Sequence, residues 1–389
     1  MISVEEALAQ CLALAKPLSS ETVPLAQAGG RWLCAPAIAT RDQPPFDASA
    51  MDGYAVQGDP GPDDVFAVIG EAGAGHRFDG QVGPGQAVRI FTGAPVPLGA
   101  TRVIIQEDVV TLGDRIILRE GADAGPHIRP LGQDFRAGDS LSPRRLRPND
   151  LALIAAMNIP TVTVARRPVV ALIATGDELV MPGEAPHPDQ IIASNGFALQ
   201  AMITAAGGQA RLLPIARDTM AELDTVLSLA QDADLIVTIG GASVGDHDLV
   251  GQLAGLERAF WKIAMRPGKP LIAGRLNGVP MLGLPGNPVS ATICGHLFLL
   301  PMIRAMLGDP APEPVPHRAR LSVDLPANGP RAHYMRARLS PGEGLPDIAP
   351  FDRQDSALLS ILGQADALLI RPANAPACAA GSTVFWLSL

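Results

Sequence analysis

The regular alternation of strand-like and helix-like segments between residues 168 and 310 most constrains the fold of this chain. Runs of Val, Ile, Leu and Ala that are four to eight residues long are typical of buried strands, and longer segments with apolar residues at helical spacing separate them. Such alternation predicts a mostly parallel sheet covered by helices on both faces, that is, a doubly wound α/β domain. The strand-like runs are 169–174, 210–215, 235–239 and 279–284, and the helix-like segments are 194–206, 219–231 and 287–307.

Capping signals support these helices. Thr219 with Glu222 three residues later predicts a capping box, the pair Gly207 and Gly208 predicts the end of the preceding helix, and Asn287 before Pro288 predicts a cap followed by a first-turn proline. Helix start signals therefore coincide with the segments chosen by periodicity.

The segments outside 168–310 have a different texture. A Ser3–Glu6 capping pattern begins an amphipathic helix over 3–16, and Pro148 with an Asn/Asp cap begins another over 148–157. Between them, short apolar runs separated by Gly and Pro predict a small β domain inserted into a helical framework. Four prolines within 309–316 mark a boundary, after which short runs predict a second β domain. The predicted domains are a helical framework (1–44 and 140–167), an inserted β domain (45–139), the α/β domain (168–310) and a C-terminal β domain (311–389).

Composition narrows the class of protein. Gly and Pro together make 77 of 389 residues, which is too many for a helical bundle and too few for disorder. A net charge of −9 and the lack of a long basic run argue against nucleic-acid binding. The first residues lack the pattern of a signal peptide and no run approaches a membrane span, so we expect no membrane association. Four widely spaced cysteines without a C-x-x-C pair fit the reducing cytoplasm.

The loops that follow the predicted parallel strands are rich in glycine. In open α/β sheets ligands bind beyond the carboxyl ends of the strands, and the segments 175–179, 240–248 and 285–290 all follow such ends. Each could be only a tight turn, but three on one edge favour backbone N–H groups that hold an anionic or phosphorylated ligand, with Gly176, Gly240, Gly241, Ser243 and Gly286 as the binding residues. None matches a dinucleotide-binding or P-loop motif. A nearby segment adds three cations, Lys262, Arg266 and Lys269, the last within a rigid Pro-Gly-Lys-Pro turn.

Six motifs in this order resemble the molybdopterin molybdenumtransferase family, the MoeA type that also includes the E domain of gephyrin. The resemblance covers nearly the whole chain and implies a four-domain, elongated homodimer with its active site between subunits. It implies the last step of molybdenum cofactor synthesis, in which molybdate is inserted into adenylylated molybdopterin with Mg²⁺ and AMP is released. Molybdopterin-adenylylating and molybdoenzyme-maturation proteins are further implied partners. The motifs are 45–56 (PFDASAMDGYAV), 91–97 (FTGAPVP), 175–179 (TGDEL), 240–248 (GGASVGDHD), 265–270 (MRPGKP) and 283–290 (GLPGNPVS).

The resemblance also implies roles for individual residues. Asp52 and Thr92 would act from the β domain of one subunit towards the α/β domain of the other, although Asp52 read alone fits an Asp-Gly turn, and Asp134 and Asp218 fit a turn or cap equally well. The implied catalytic set is Asp52, Thr92, Asp134, Glu178, Asp218, Asp248 and Lys262. The implied metal ligands are Glu178, Asp248 and Asp246, and the implied pterin and molybdate contacts are Arg266, Lys269, Pro285, Pro288, Ser290, Arg331 and Ser356. The chain departs from common family residues at Ala48, Arg266, His333 and Tyr334.

Two other functions remain open from the sequence. The 168–310 segment resembles the small proteins that adenylylate molybdopterin, and a non-catalytic pterin-binding or scaffold protein is the alternative from another class. The sequence shows no Ser/His/Asp or Cys/His arrangement for a nucleophile, so we expect catalysis by positioning and electrostatics.

Overall fold

The computed structural model describes residues 1–241 and 249–389, which form two compact units. The larger unit comprises residues 1–21 and 165–389, and the smaller comprises residues 22–164.

Helices and strands are numbered along the described chain. The helices are α1 (Val4–Leu14), α2 (Pro148–Ala156), α3 (Asn195–Ala205), α4 (Met220–Ser228), α5 (Pro288–Cys294), α6 (Leu300–Met306) and α7 (Leu359–Leu362). The strands are β1 (Ser20–Pro24), β2 (Ala37–Ile38), β3 (Ala48–Ser49), β4 (Gly53–Val56), β5 (Val65–Ala72), β6 (Gln86–Ile90), β7 (Arg102–Ile105), β8 (Val109–Leu112), β9 (Arg115–Leu118), β10 (Ile128–Arg129), β11 (Ser140–Leu141), β12 (Thr161–Ala165), β13 (Val169–Ala174), β14 (Leu179–Val180), β15 (Ile191–Ile192), β16 (Gln209–Leu212), β17 (Leu235–Ile239), β18 (Leu256–Trp261), β19 (Met265–Arg266), β20 (Ile272–Leu276), β21 (Val279–Leu284), β22 (His317–Leu321), β23 (Ala332–Ser340), β24 (Asp347–Pro350), β25 (Ala367–Arg371) and β26 (Thr383–Ser388).

A six-stranded sheet with the order β16-β13-β17-β21-β20-β18 forms the centre of the larger unit. The first four strands are parallel, as the sequence predicts, and β13, β17 and β21 have the predicted bounds. Their side chains are buried along almost the whole length because helices cover both faces. Each fully buried Leu or Ile, such as Leu172 or Ile173, contributes about 2 kcal/mol of transfer free energy. The α/β class is therefore confirmed.

The antiparallel edge of this sheet is absent from the sequence-based prediction. β20 pairs antiparallel with both β21 and β18. The β18 segment carries Glu257 and Arg258 on an exposed edge, and Gly274 interrupts β20, so neither segment has the continuous apolar run of a buried parallel strand.

The capping predictions are confirmed in part. Ser3 and Glu6 form the reciprocal capping box of α1. At α4, Thr219 accepts the Glu222 N–H, but no hydrogen bond from the Thr219 N–H to the Glu222 carboxylate completes the box among the described residues. Asn287 makes no side-chain cap at α5, because the Val289 N–H in the first turn donates to Ser356 O at 3.1 Å, while the Asn287 amide donates to Ser356 Oγ. A local helix signal was therefore overridden by a long-range partner.

The helix predicted over 287–307 runs from Pro288 to Met306 and contains one π-helical segment, Gly295–Leu299. Among the described helices it alone is long and apolar enough to cross a membrane, but 72% of it is buried inside the protein. This burial is that of a core helix of the α/β domain.

The C-terminal part of the larger unit is a small closed barrel. The strands follow the order β23-β24-β22-β26-β25, and an additional β23–β25 pairing closes the ring around Ala319, Leu321, Ala337 and Ile348. β19, from the α/β segment, pairs parallel with the outside of β23. The second predicted β domain is thus confirmed as a β structure, and β19 ties the cationic 262–270 segment to it.

The smaller unit contains a six-stranded sheet with the order β7-β4-β6-β5-β9-β8, buried on one face around Ile104 and Ile116 and on the other around Val88 and Ile90. The predicted helix near 148–157 is present, with Pro148 in its first turn. Its N-cap is Arg147 rather than the predicted Asn or Asp, since Asp150 lies three residues further on and accepts the Arg147 N–H at 2.9 Å. The four-domain division itself stays a prediction.

Candidate active site

A cleft of about 650 Å³ opens at the carboxyl edge of the parallel strands in the larger unit. The turns after β13, β17 and β21 meet there, as predicted, because Thr175 N–H donates to Ile239 O and Gly240 N–H donates to Leu284 O, both at 3.0 Å. The cleft brings together eight of the predicted site residues: Gly176, Glu178, Asp218, Gly240, Gly241, Pro285, Gly286 and Pro288.

Only some of the glycine N–H groups face an open ligand position. Gly176 N–H donates to Ala216 O, and Gly240 N–H is used within the sheet, so neither serves an anion. Within residues 1–241 and 249–389, the N–H groups of Gly241 and Gly286 have no recorded partner. Fewer backbone N–H groups are therefore available to an anion than the three loops together predict.

Close packing explains why glycine is required at Gly240 and Gly241. Both have positive φ, 92° and 63°, and a Cβ atom there would lie 3.0 Å and 2.9 Å from Thr175 Oγ1. That hydroxyl is buried without a hydrogen-bond partner in the described chain. A buried polar atom beside two glycines is suited to a ligand oxygen or nitrogen.

Two carboxylates, those of Glu178 and Asp218, also line the cleft. Glu178 and Asp218 are exposed there, and the Glu178 carboxylate folds back over Gly176, where a Cβ would lie 2.7 Å from Glu178 Cδ. Asp218 N–H donates to Asp177 Oδ1 at 3.1 Å. Arg217 fixes the same loop, because its Nη1 donates to the carbonyls of Gly176, Asp177 and Leu179 at 3.3, 3.1 and 3.0 Å.

The turn before α5 also lines the cleft. Asn195 Nδ2 donates to Gly286 O at 2.7 Å, and Ser356 from the C-terminal barrel accepts from Asn287 Nδ2. Ser290 is buried in the first turn of α5, at 3% exposure, and does not line the cleft. Sequence reasoning missed Thr175, Asn195 and Arg217, although each lies within or beside a motif loop or at the start of a helix on this edge.

The predicted cations lie next to the cleft rather than in its lining. Lys269 and Arg266 are exposed on the segment that ends at the cleft residue Pro270. Lys262 lies 3.7 Å over the Trp261 ring, an arrangement that holds its ammonium by a cation–π contact. Arg331 is half-buried at the start of β23, where β19 places Arg266 beside His333.

The smaller unit holds the remaining predicted residues. Asp52 Oδ1 accepts hydrogen bonds from Thr92 N–H and Thr92 Oγ1, which hold the pKa of the Asp52 carboxyl below its usual value. Asp134 lines a separate cavity of about 550 Å³ together with Arg129 and Gly93, the residue after Thr92. The residue after Thr92 and the distant Asp134 thus line the same cavity.

Three predicted residues, Ser243, Asp246 and Asp248, lie outside the described residues. Within the described residues there is no group of three or more His, Cys, Asp or Glu side chains that could hold a metal. The donor set that is present, Glu178 and Asp218 in a cleft, nonetheless suits Mg²⁺, which is commonly held by one or two carboxylates together with substrate phosphate oxygens and water.

The fold and this cleft define a multidomain α/β protein with a glycine-rich cleft at the carboxyl edge of its sheet. Family models match almost the whole chain: the MoeA N-terminal region (domains I and II) at residues 2–158, a probable molybdopterin-binding domain at 171–305, and the MoeA C-terminal region (domain IV) at 318–389. The chain belongs to the MoeA family.

Individual relatives agree with the family match. The chain is 35% identical to molybdopterin molybdenumtransferase 2 of Mycobacterium tuberculosis, with 98% of each chain covered. It is 34% identical to a molybdopterin molybdenumtransferase of a Nostoc species, covering 95% of this chain and 89% of the relative. A solved molybdopterin biosynthesis MoeA protein of Pyrococcus horikoshii superimposes with a TM-score of 0.84 at 27% identity over 100% of both chains.

Proposed function

We propose that this protein is a molybdopterin molybdenumtransferase that inserts molybdate into adenylylated molybdopterin and releases AMP. The relatives that carry this name match over nearly the full length, which supports the activity. The observation that carries the proposal is the cleft that Gly241, Gly286 and Thr175 line together with Glu178 and Asp218. A pterin that bears a pyrophosphate needs both hydrogen-bond donors and a means of balancing negative charge.

The glycine side of the cleft would bind and orient the substrate. The N–H groups of Gly241 and Gly286 are available to a phosphate oxygen, and Asn195 holds the Gly286 peptide in place through its carbonyl. Arg217 holds the 176–179 loop through three of its carbonyls. The Gly286 turn and the 176–179 loop are therefore fixed before the ligand binds. Rigid walls lower the entropic cost of positioning the substrate.

Glu178 and Asp218 would hold Mg²⁺, with Asp246 and Asp248 as further proposed ligands. Bound there, the ion would offset the negative charge of the pyrophosphate. Without it, two exposed carboxylates would repel an anionic substrate, since like charges a few ångströms apart oppose binding.

The cationic segment would place molybdate. Lys269, Arg331 and Ser356 offer an ammonium, a planar guanidinium and a hydroxyl, which suit the oxygens of a tetrahedral oxyanion. Cys294 lies beneath this segment, where a Cβ at Gly268 would meet its Sγ at 2.6 Å, and burial raises the pKa of its thiol. A protonated, buried thiol is a packing group rather than a nucleophile, which supports catalysis by positioning.

Asp52, Thr92 and Asp134 belong to the smaller unit, and we propose that they act from a second copy of the chain in a homodimer. The ionised Asp52 carboxylate fixed by Thr92 supports a binding role rather than a simple Asp-Gly turn. Four free cysteines are compatible with the proposed cytoplasmic location.

Incubation of the purified protein with adenylylated molybdopterin, Mg²⁺ and molybdate tests the proposal. We expect AMP release that requires molybdate, together with transfer of molybdenum to the pterin. ATP-dependent adenylylation of molybdopterin would instead identify the adenylylating enzyme, and tight binding without AMP release would identify a scaffold protein. Omission of Mg²⁺ with added chelator is expected to stop AMP release.

A further inference from the structure

A row of three basic side chains crosses the junction between β19 and the C-terminal barrel. In the parallel β19–β23 pair Arg266 lies opposite His333, and in the antiparallel β23–β25 pair His333 lies opposite Arg371. Residues opposite each other in neighbouring strands present their side chains on the same face. Arg331 lies two residues before His333, just outside β23, and is close enough to act electrostatically on the His333 imidazole.

His333 is buried near arginines, and within residues 1–241 and 249–389 no acidic side chain is recorded as acting on it. It is 8% exposed, and its Nε2 has no hydrogen-bond partner in the described chain. Burial, with the nearby Arg266, Arg336 and Arg331, lowers its pKa to about 4, so the imidazole of the free protein is neutral at pH 7. A buried polar nitrogen that lacks a partner is costly unless a ligand satisfies it.

Two of the four surrounding guanidinium groups are already engaged. Arg371 Nη2 donates to the carbonyls of Pro326 and Pro376, and Arg336 donates to the carbonyls of Leu358 and Arg353, while Asp355 acts electrostatically on Arg336. Arg266 and Arg331 have no recorded side-chain partner in the described ranges. The guanidinium groups of Arg266 and Arg331 are therefore available to a ligand near the unpartnered His333 nitrogen.

We propose that His333 is a positioning residue of an oxyanion subsite formed with Arg266 and Arg331, and that it takes up one proton when a tetrahedral dianion binds. The proton comes from solvent, the neutral imidazole becomes an imidazolium, and its Nε2–H then donates to an anion oxygen. No other bond changes. The identity of the anion as molybdate rests on the proposed function, whereas the proton uptake rests on the arrangement of His333 and the arginines.

The sign of the pH dependence follows from this coupling. A bound dianion raises the pKa of His333 above its value in the free protein, because an opposite charge nearby favours the charged form. The affinity for the anion therefore increases as pH falls below the pKa of His333 in the complex. It levels off near the His333 pKa of the free protein, about 4. In the steepest part, uptake of one proton gives about a tenfold change in affinity per pH unit.

Isothermal titration calorimetry with sodium molybdate alone, without pterin, tests the inference between pH 6 and 8. Repeating the titration in buffers of different ionisation enthalpy counts the protons taken up. The wild-type protein is expected to take up a measurable fraction of one proton per molybdate, and this fraction should increase as pH falls from 8 to 6. His333→Asn and His333→Gln, which keep a hydrogen-bonding group but do not titrate, are expected to take up none and to bind with little dependence on pH.

His317→Asn is the matched control, because His317 is an exposed histidine in the same barrel, beside Trp386. It should retain the wild-type proton uptake. Thermal unfolding of each variant checks that the barrel is folded, and the Gln variant serves if the Asn variant does not fold. Equal proton uptake in wild type and both His333 variants, or no molybdate binding by the wild-type protein, would overturn the subsite. If the wild-type protein takes up the proton but releases no AMP in the assay above, the proposed function is contradicted and the subsite is not.

Discussion

Asp52 Oδ1 accepts hydrogen bonds from both donors of a single residue, the Thr92 backbone N–H at 2.7 Å and the Thr92 hydroxyl at 2.8 Å. The two residues are 40 positions apart in sequence, and they meet because β4 and β6 pair antiparallel with Gly53 opposite Ile90. The sheet of the smaller unit therefore builds the Asp52–Thr92 pair, and two motifs that are separate in the sequence form one anionic group.

Replacing Thr92 by Val should raise the pKa of Asp52 only part of the way to its ordinary value. The backbone N–H contributes most to lowering that pKa and stays in the variant, whereas the hydroxyl contribution is lost. Carbon-detected NMR titration of the Asp52 carboxyl measures the change, with Thr101→Val as a control elsewhere in the unit. An unchanged Asp52 titration in Thr92→Val would contradict the role of the hydroxyl.

Gly240→Ala should weaken binding of molybdopterin as well as lower stability. The new Cβ would lie 2.8 Å from Thr175 O and 3.0 Å from Thr175 Oγ1, and φ at this position is 92°. Gly278→Ala is the matched control, since φ is 85° there and nothing lies within 4 Å of the new Cβ. Both variants should lose roughly 1 kcal/mol or more of unfolding free energy through backbone strain.

Only Gly240→Ala is expected to weaken pterin binding, because only Gly240 lines the cleft. Fluorescence titration with molybdopterin and chemical denaturation separate the two effects. Equal pterin affinity in the two variants would show that crowding against Thr175 does not matter for the ligand.

Acid should destabilise the larger unit through His296. Burial, and to a smaller extent Arg304, lowers the pKa of His296 from 6.5 to about 4. The unfolded chain therefore binds a proton that the folded chain excludes between these two values, so the stabilisation is complete above about pH 6.5 and is lost as pH falls towards 4.

Thermal unfolding midpoints measured from pH 7 to 4 test this prediction. His296→Gln should show a smaller fall in midpoint over that range than the wild-type protein, whereas His317→Gln, at an exposed position, should show the wild-type fall. A fall as steep in His296→Gln as in the wild type would mean that His296 does not titrate on unfolding.

The parallel centre of the fold could be predicted because its strands are buried on both faces. Leu235–Ile239 and Val279–Leu284 are mostly apolar and mostly buried, and such runs leave little choice of structure. β18 could not be predicted in the same way, since its burial pattern follows from its position at the sheet edge rather than from an apolar sequence. Asn287 shows a second limit, because a local capping signal cannot reveal that the distant Ser356 carbonyl accepts the first-turn Val289 N–H.

The candidate site likewise has a part that the sequence predicts and a part that it does not. The meeting of the 175–179, 240–241 and 285–288 segments follows from the topology of a parallel sheet and was predicted. The use of the Gly176 and Gly240 N–H groups within the protein, and the clamping role of Arg217, depend on the exact placement of carbonyl groups. The burial of Ser290 likewise depends on how α5 packs.

Molybdate-dependent AMP release by Glu178→Gln tests the central claim most directly. Glu178 is exposed at the cleft beside Gly176, and the substitution removes its charge with almost no change in size. Glu222→Gln, on the exposed surface of α4, is the control for loss of one negative charge in the same unit. We predict that Glu178→Gln releases AMP at least ~100-fold more slowly than the wild-type protein, with an unchanged unfolding midpoint, and that Glu222→Gln releases it at the wild-type rate. An undiminished rate of AMP release by folded Glu178→Gln would contradict the assignment of this cleft as the active site.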